Sequence, residues 1–333
     1  MRTIAFFNNK GGVGKTSLVY HLSWMFAENG AKVLAVDLDP QANLTAMFLT
    51  ESRLLDLWPD DDKGRLTIFG AVLPILRGIG DISDLTVEMM GEGRLGLVPG
   101  DLGLSRFEDK LSDAWPRCHN RDEAAFRTMT AFHRVIAQSS AWGADLVLVD
   151  VGPNLGAINR SALICADQVV MPLGADLFSL QGLQNLGPTM KEWRKSWQEM
   201  LPKGPHDLNM PKGKMEPIGY VVSQHGVRES RPVKSYQRWI DRIPQVYREA
   251  VLGDENIGDG LTPANDPNAL ALLRHYRSLM PLAVDAHKPM FQLKASDGAI
   301  GAHVQAVQDC YQDFYDLAKQ LEQRSPDLTL LKT

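Results

Sequence analysis

A glycine-rich stretch near the start of the chain has the residue types needed to bind an anion. It reads Asn8-Asn9-Lys10-Gly11-Gly12-Val13-Gly14-Lys15-Thr16-Ser17. Glycines allow backbone N–H groups to converge on a phosphate, and the N-terminus of a following helix adds a favourable dipole. In such a loop Lys15 would contact the β- and γ-phosphates of a nucleotide, and the Thr16 hydroxyl would coordinate Mg²⁺. We therefore expect the phosphates to be bound by Gly11, Gly12, Val13, Gly14, Lys15, Thr16 and Ser17.

This loop departs from the strict phosphate-loop pattern G-x-x-x-x-G-K-[ST], because Asn9 stands where that pattern requires glycine. A second lysine, Lys10, precedes the glycines instead. The alternative interpretation is a glycine-rich turn that contains Gly-Lys-Thr by chance. Apolar runs at residues 3–7 before the loop and at 18–26 after it favour a strand, a loop and a helix in that order.

Carboxylates follow two further apolar runs. Residues 33–36 lead to Asp37 and Asp39, and residues 146–149 lead to Asp150. Continuous apolar runs are typical of parallel strands covered on both faces, and the C-terminal edge of such strands faces the ligand crevice. The alternative for Asp37 and Asp39 is that they only cap the helix that follows.

These elements predict an α/β fold, namely a doubly wound, mostly parallel twisted sheet with helices on both faces, in a single domain over residues 1–333. We expect insertions at about 50–93 and 200–216, the second one exposed, and a C-terminal helix at about 299–323 that docks through one apolar stripe. The patterns also predict a helix at 68–76, a charged linker at 109–120, a helix at 123–138 and a last central strand at 218–222.

Composition limits the protein class. The chain has 333 residues, of which 44% are hydrophobic, so it can bury a large core. It contains no apolar run long enough to span a membrane and no secretory signal sequence, and we therefore expect a cytoplasmic protein without membrane attachment. Its three cysteines are far apart, which argues against a disulfide framework or a zinc site. The formal net charge of -5 means that nucleic-acid binding would need a local basic patch.

One candidate patch lies between residues 228 and 248. On a helix that opens at Pro232, basic residues share one face and apolar residues share another. The basic residues are Arg231, Lys234, Arg238 and Arg242. The pattern predicts a helix with a core side and a cationic side, and the alternative is a solvated face that binds nothing.

Three segments resemble the ParA/MinD family of ATPases, most closely its ParA-type partition members that lack an N-terminal helix-turn-helix domain. Residues 10–16 are similar to the family's deviant loop K-G-G-x-G-K-[ST], residues 37–45 to its D-x-D-P-Q-x-N-x-T stretch, and residues 145–156 to its second acidic strand end. The resemblance implies a phosphate-loop ATPase that binds ATP and Mg²⁺ and forms an ATP-sandwich dimer. The family commonly has D-x-P-P after that last strand, whereas this chain has Gly152-Pro153.

The same resemblance implies roles for individual residues. Lys10 would cross the dimer interface to the nucleotide held by the partner, and Lys15 would stabilise the charge on the γ-phosphate. Asp39 would orient the attacking water, while Asp150 would bond to a Mg²⁺-bound water and Gly152 would move as a switch. Metal contacts are thus implied for Thr16, Asp37 and Asp150, and adenine contacts for Ser223 and Gln224.

The implied function is an ATP-dependent homodimeric switch. It would hydrolyse ATP to ADP and phosphate, bind DNA non-specifically in the ATP state through the basic helix, and respond to a ParB-like stimulating partner. It would then partition or position DNA or a protein cargo and associate with the nucleoid. The alternative is a ParA-like switch that regulates a protein partner without DNA, as a positioning or defence component. A reductase or amidotransferase relative is disfavoured, because Cys118 and Cys165 do not match the paired cysteines of the iron-protein reductases.

Overall fold

A computed structural model describes residues 1–59, 61, 64–223, 233–254, 260–276, 278–325 and 331. Of residues 233–236 it describes the helix but not the side chains. The described strands are β1 Arg2–Phe6, β2 Val33–Asp37, β3 Glu88–Met90, β4 Leu95–Val98, β5 Leu146–Asp150, β6 Gln168–Gly174, β7 Glu216–Ser223 and β8 Ala269–Leu273.

All eight strands form one sheet in the order β3-β4-β2-β5-β1-β6-β7-β8. Every neighbouring pair is parallel except β3 and β4, which are antiparallel at one edge. β1 lies between β5 and β6, so the loop that follows it opens at the centre of the C-terminal edge. This architecture confirms the predicted doubly wound, mostly parallel sheet.

Helices cover both faces of the sheet. They are α1 Lys15–Glu28, α2 Asn43–Phe48, α3 Glu51–Leu57, α4 Ile68–Arg77, α5 Glu108–Cys118, α6 Glu123–Met129, α7 Ala131–Ser139, α8 Ala157–Cys165, α9 Leu177–Met200, α10 Val233–Ile240, α11 Ile243–Val246, α12 Met280–Ala286 and α13 Ala302–Gln323, with a π-helix at Tyr247–Leu252. Because side chains alternate along a strand, Ala5 packs into the core under α4–α9, and its neighbours Ile4 and Phe6 pack into the core under α1, α2, α12 and α13.

Several predicted elements need correction. The linker predicted at 109–120 is wrong: α5 forms there because Leu111, Ala114 and Cys118 recur at helical spacing and are buried. The predicted helix at 123–138 is two helices that meet at Thr130. The predicted last central strand at 218–222 is present as the longer strand β7, and one parallel strand, β8, lies beyond it at the edge of the sheet.

The structure also corrects two predictions about exposure, one for the proline-rich insertion and one for the C-terminal helix. The 202–217 stretch is not simply exposed, since Met215 is fully buried and Trp197 donates a hydrogen bond to the Pro211 carbonyl oxygen at 3.0 Å. The predicted C-terminal stripe docks mainly through the second half of α13, where Phe314 and Leu317 are buried. Val304 and Tyr311 in the first half stay exposed, as does Ile300 just before the helix.

The predicted basic helix ends earlier than expected. α10 stops at Ile240, so Arg242 lies beyond it, at the residue that precedes α11. The prediction that all four basic residues share one face of one helix is therefore wrong for Arg242. Arg231 lies outside the described residues, and the side chain of Lys234 is not described.

Candidate functional site

The loop between β1 and α1 forms an open cradle. Gly12 and Gly14 have φ angles of 73° and 87°, in the left-handed region that glycine adopts without strain. A β-carbon at Gly11 or Gly12 would meet nothing within 4 Å, so space is free directly above the backbone. Since α1 begins at Lys15, its first N–H groups point into that space. The cradle has the space and the donors that an anionic group needs, and its binding of a phosphate stays a prediction.

Lys15 lies beside this cradle and is almost fully buried, with 6% of its surface exposed. Its Nζ donates a hydrogen bond of 3.1 Å to the Lys10 carbonyl oxygen, which holds the ammonium group over the loop. Burial lowers the pKa of Lys15, while the charges of Asp150 and Asp39 act in the opposite direction. An arriving phosphate would supply the counter-charge that this buried ammonium group needs.

Asp37 and Asp150 end neighbouring strands and lie directly opposite each other in the register of β2 and β5. Asp37 is fully buried and accepts three hydrogen bonds, from Thr45 N at 2.8 Å, Thr45 Oγ1 at 2.7 Å and Asp39 N at 3.2 Å. Burial nevertheless raises the pKa of Asp37 to about 7. These bonds occupy both oxygens of Asp37, so its predicted contact with the Mg²⁺ shell stays a prediction.

Asp150 has the opposite environment. Both of its carboxylate oxygens are buried, and neither has a hydrogen-bond partner among the described residues. Burial, the charge of Asp37 and to a smaller extent that of Asp39 raise the pKa of Asp150 well above its usual range, although the nearby Thr16 hydroxyl and Lys15 ammonium group counteract this. A buried carboxylate without partners is a group that a cation or its water shell would satisfy.

The donor set around Asp150 suits Mg²⁺ better than a metal held by protein alone. Within the part of the chain that the structure describes, no group of three or more His, Cys, Asp or Glu side chains could hold a metal ion. Mg²⁺ is usually bound by one or two carboxylates, waters and the phosphates of a nucleotide. Asp150 and the Thr16 hydroxyl, beside the cradle, fit that mode.

Asp39 occupies the third acidic position, two residues beyond the end of β2, and is 6% exposed. Its Oδ1 accepts a hydrogen bond of 3.0 Å from Gln41 N. A β-carbon on Gly152 would lie only 3.3 Å from the same oxygen, so the loop after β5 packs directly against Asp39. The fold thus brings the predicted Asp39, Asp150 and Lys15 together at one edge of the sheet.

Lys10 has a partner that the sequence did not indicate. Its ammonium group forms an ion pair with Asp176, at the start of α9. The other oxygen of Asp176 caps that helix by accepting a hydrogen bond of 3.0 Å from Ser179 N. Burial alone would raise the pKa of Asp176, but the hydrogen bonds from Lys10 and the backbone outweigh it and lower that pKa. In the isolated chain Lys10 is therefore held in place by its own subunit.

A cavity of about 150 Å³ adjoins the glycine loop. Ser223, whose Oγ donates to the Val13 carbonyl oxygen at 3.3 Å, also lines this cavity, and its contact with adenine stays a prediction. Gln224 lies outside the described residues. Sequence reasoning missed the apolar wall, because its residues come from α1, β8 and the C-terminal segments and meet only in the folded chain. This wall includes Leu18, Leu273, Met280, Met290 and Phe314.

His21 on α1 fixes part of that wall. Its Nδ1 lies 2.7 Å from the Ser17 carbonyl oxygen, and its Nε2 accepts a hydrogen bond of 3.1 Å from Met290 N. Its ring also stacks on Phe314 at 4.8 Å between centroids. Burial lowers the pKa of His21 to about 4, so the ring is neutral, with a proton on Nδ1 and a lone pair on Nε2.

The two described basic side chains of the candidate patch converge on one indole. The Arg238 and Arg242 guanidinium groups lie 4.4 Å and 5.9 Å from the centroid of the Trp239 ring, and both side chains are exposed. They do not lie at the phosphate cradle, and they form a separate surface.

Comparison with known proteins agrees with this geometry. A family model described as an AAA domain matches residues 1–203, which include the glycine loop and all three acidic positions. The chain belongs to the ParA/MinD family of phosphate-loop ATPases. Both the predicted family and the predicted fold are thereby confirmed.

Curated ParA-type relatives match over part of their length. The chromosome partitioning protein ParA of Caulobacter vibrioides is 30% identical over 201 residues, covering 60% of this chain and 66% of that protein. Protein IncC of Escherichia coli is 27% identical over 266 residues, covering 78% of this chain and 61% of IncC. The chain therefore spans less than two thirds of each.

Solved structures share the fold across the whole chain. Protein DIP2308 of Corynebacterium diphtheriae superposes with a TM-score of 0.68 at 22% identity, covering 98% of this chain and all of that one. An ATP complex of McdA from Cyanothece superposes with a TM-score of 0.62 at 16% identity, covering 100% of this chain and 99% of McdA. Among the described residues of this family member, no helix is long and apolar enough to cross a bilayer.

Proposed function

We propose that this ParA/MinD-type chain is an ATP-driven switch that binds Mg·ATP, pairs with a second copy, binds DNA without sequence preference and resets on hydrolysis. The observation that supports it most is the cluster of Lys15, Asp39 and Asp150 around the open cradle. This cluster combines a buried cation with carboxylates at two neighbouring strand ends. Phosphoryl transfer needs such positioning and charge stabilisation more than it needs covalent chemistry.

In the proposed reaction, water attacks the γ-phosphate and ADP leaves. Asp39, which lies two residues beyond the end of β2 at this edge of the sheet, would orient that water. Lys15 would neutralise the charge that develops on the phosphate oxygens, and Lys10 would reach the nucleotide of the partner copy. Mg²⁺, when bound at Asp150 and Thr16, would neutralise the β- and γ-phosphate oxygens.

The proposed DNA contact uses the exposed side chains of Arg238 and Arg242. Arg231 and Lys234 are proposed to contribute on the sequence pattern alone. Guanidinium groups bind phosphate oxygens without reading bases, so this surface would give affinity that depends on salt and not on sequence. Two copies in an ATP-bound dimer would double the number of contacts. A stimulating partner of the ParB type would then end the DNA-bound state, which would be associated with the nucleoid in a cell.

The test is DNA retention with ATP, with ADP and without nucleotide over a salt series. We expect retention only with ATP, and Arg238→Ala/Arg242→Ala should lower the slope of log affinity against log salt by about 2 per subunit. The matched control is Lys32→Ala/Arg94→Ala, which removes two exposed cations next to the N-terminal ends of β2 and β4, on the opposite edge of the sheet. Equal retention with all nucleotides, or equal effects of both double variants, would refute DNA binding at this surface.

A second candidate is the same ATPase switch acting on a protein partner without DNA. Two observations favour it, because the formal net charge is -5 and both described arginines of the patch stack on Trp239. Under this candidate, ATP hydrolysis and dimerisation persist, but no DNA is retained at any salt concentration. The salt series therefore separates the two.

A further inference from the structure

The loop between β5 and α8 is held by hydrogen bonds from one buried asparagine on α8. Asn159, on α8, is 1% exposed. Its Nδ2 donates to the Gly152 carbonyl oxygen at 2.8 Å, to the Asn154 carbonyl oxygen at 2.7 Å and to Asn154 Oδ1 at 3.0 Å. Asn154 Oδ1 in turn accepts from Gly156 N at 2.9 Å. The loop is thus tied to α8 at both ends.

These contacts fix which way the Asn159 amide faces. The reversed amide would point its oxygen at three other oxygens, which repel it. The observed orientation leaves Asn159 Oδ1 buried and without a hydrogen-bond partner among the described residues, which is energetically unfavourable. A side chain that leaves its acceptor unsatisfied in order to donate to a loop is well suited to restrain that loop.

The helix that carries Asn159 is itself held by a second element. The Glu108 carboxylate, at the start of α5, accepts hydrogen bonds from Ala157 N at 2.5 Å and from Ile158 N at 2.9 Å. Both donors belong to the first turn of α8, where backbone N–H groups lack partners within the helix and favour an anion. Asn159 therefore projects from an anchored helix, and its position does not depend on the loop that it binds.

The restrained loop is in contact with Asp39. A β-carbon on Gly152 would lie 3.3 Å from Asp39 Oδ1 and 3.7 Å from Asn159 Nδ2, so the three residues meet at one point. Gly152 does not have a left-handed φ angle, which means that the backbone conformation does not require glycine there. The contact is nevertheless tight, because a methyl group at this position would fit only if Asp39 or the loop shifted slightly.

We propose that Asn159 is a positioning residue for hydrolysis: by holding the Gly152 carbonyl, it keeps the loop against Asp39 and fixes the carboxylate that orients the water. Where the family commonly has proline, whose ring restrains the backbone, this chain has Gly152 and restrains it by hydrogen bonds from α8. The inference rests on the proposed function, because it requires Asp39 to act on the water.

The test is steady-state ATP hydrolysis by Asn159→Ala, with KM and kcat determined separately. We expect kcat to fall about tenfold, because small displacements of an orienting group are costly. KM for ATP and the affinity for a fluorescent ATP analogue should be unchanged, since Asn159 does not touch the cradle. The matched control is Asn185→Ala, which removes an exposed asparagine amide from α9 and should leave both parameters as in the wild type.

Gly152→Ala is the second variant, and it decides the question if Asn159→Ala does not fold. Its methyl group should displace Asp39 and lower kcat while leaving KM unchanged. Wild-type kcat in both variants, or a rise in KM at constant kcat, would overturn the inference. Asp39→Ala tests the proposed role of Asp39 separately from the positioning role of Asn159. Hydrolysis at the wild-type rate in that variant would overturn the proposed role of Asp39 and this inference together. An inactive Asp39→Ala beside wild-type kcat in the other two variants would overturn this inference alone.

Discussion

Asp176→Asn should make ATP-dependent dimerisation easier. In the isolated chain Asp176 holds the ammonium group of Lys10, which must leave this partner before it can reach the nucleotide of another subunit. Asparagine keeps the shape of the side chain and an oxygen that can still accept the hydrogen bond from Ser179 N, so the N-cap of α9 is preserved. The substitution therefore removes the ion pair and little else.

The size of the effect follows from the exposure of the pair. The Lys10 and Asp176 side chains are 27% and 28% exposed, which places the pair between the surface and the interior. Such a pair contributes about 1 kcal/mol after solvent screening and side-chain entropy are counted. A symmetric dimer must break the pair twice, once in each subunit. The expected gain is about 2 kcal/mol, or roughly a 30-fold lower dimer dissociation constant.

The assay is sedimentation velocity with Mg²⁺ and a slowly hydrolysed ATP analogue over a range of protein concentrations. Asp122→Asn is the matched control, because Asp122 also caps a helix, accepting from Ala125 N at 3.1 Å, and also pairs with a cation, Arg117. It should leave the dissociation constant unchanged. Lys10→Ala should abolish the dimer, since it removes the group that we propose crosses the interface.

Two results would refute this reasoning. If Asp176→Asn dimerised at the wild-type concentration, the ion pair would not oppose assembly. If it dimerised less readily, Asp176 would act within the dimer itself and the pairing with Lys10 would not compete with it. A dimer that formed without nucleotide would show instead that the nucleotide is not what releases Lys10.

Three further predictions concern the acids and the insertion. Asp150→Asn should abolish the effect of Mg²⁺ on ATP affinity in a binding titration, because it replaces a buried carboxylate whose oxygens have no hydrogen-bond partner among the described residues by an amide, which binds Mg²⁺ more weakly. Burial raises the pKa of Asp37 to about 7, so the stability that its neutral carboxyl contributes is complete below about pH 4 and is lost as the pH rises through 7. If Mg·ATP binding ionises this cluster, binding at pH 6.5 should release protons. Equal calorimetric binding enthalpies in buffers of different ionisation enthalpy would contradict this. Arg65→Ala should lower the free energy of unfolding by about 3 kcal/mol, because it leaves the fully buried Asp101 carboxylate without its cation. Arg53→Ala, which removes a more exposed ion pair, should lower it by under about 1 kcal/mol. Similar losses for the two variants in thermal unfolding would contradict this contrast.

Much of the site could be predicted from the sequence because its parts are local. The glycine loop needs special backbone angles and adjacent residues, and the acids at 37, 39 and 150 each follow an apolar strand. The parallel sheet then brings separate strand ends to the same edge, so the grouping of Asp37 with Asp150 follows from the fold class alone.

The parts that sequence could not predict depend on contacts between distant residues. Asp176 meets Lys10 across 166 positions, and no spacing rule links them. Asn159 lies in a helix that is buried along almost its whole length, and only the three-dimensional structure shows that its amide binds the loop. The short apolar run of β8 could belong to a buried helix or to a strand, which periodicity alone does not separate. The basic patch was overextended because the end of α10 carries no strong stop signal.

The contact between His21 and Met290 has a consequence for how the protein is made. The two residues are 269 positions apart, and the Phe314 ring that stacks on His21 lies still further along the chain. During synthesis the glycine loop leaves the ribosome early, but the wall of the adjoining cavity is completed only when nearly the whole chain has emerged. A nascent chain therefore has its glycine loop before the wall of the adjoining cavity, and any ligand that needs this wall can bind only after the late segments have packed onto α1.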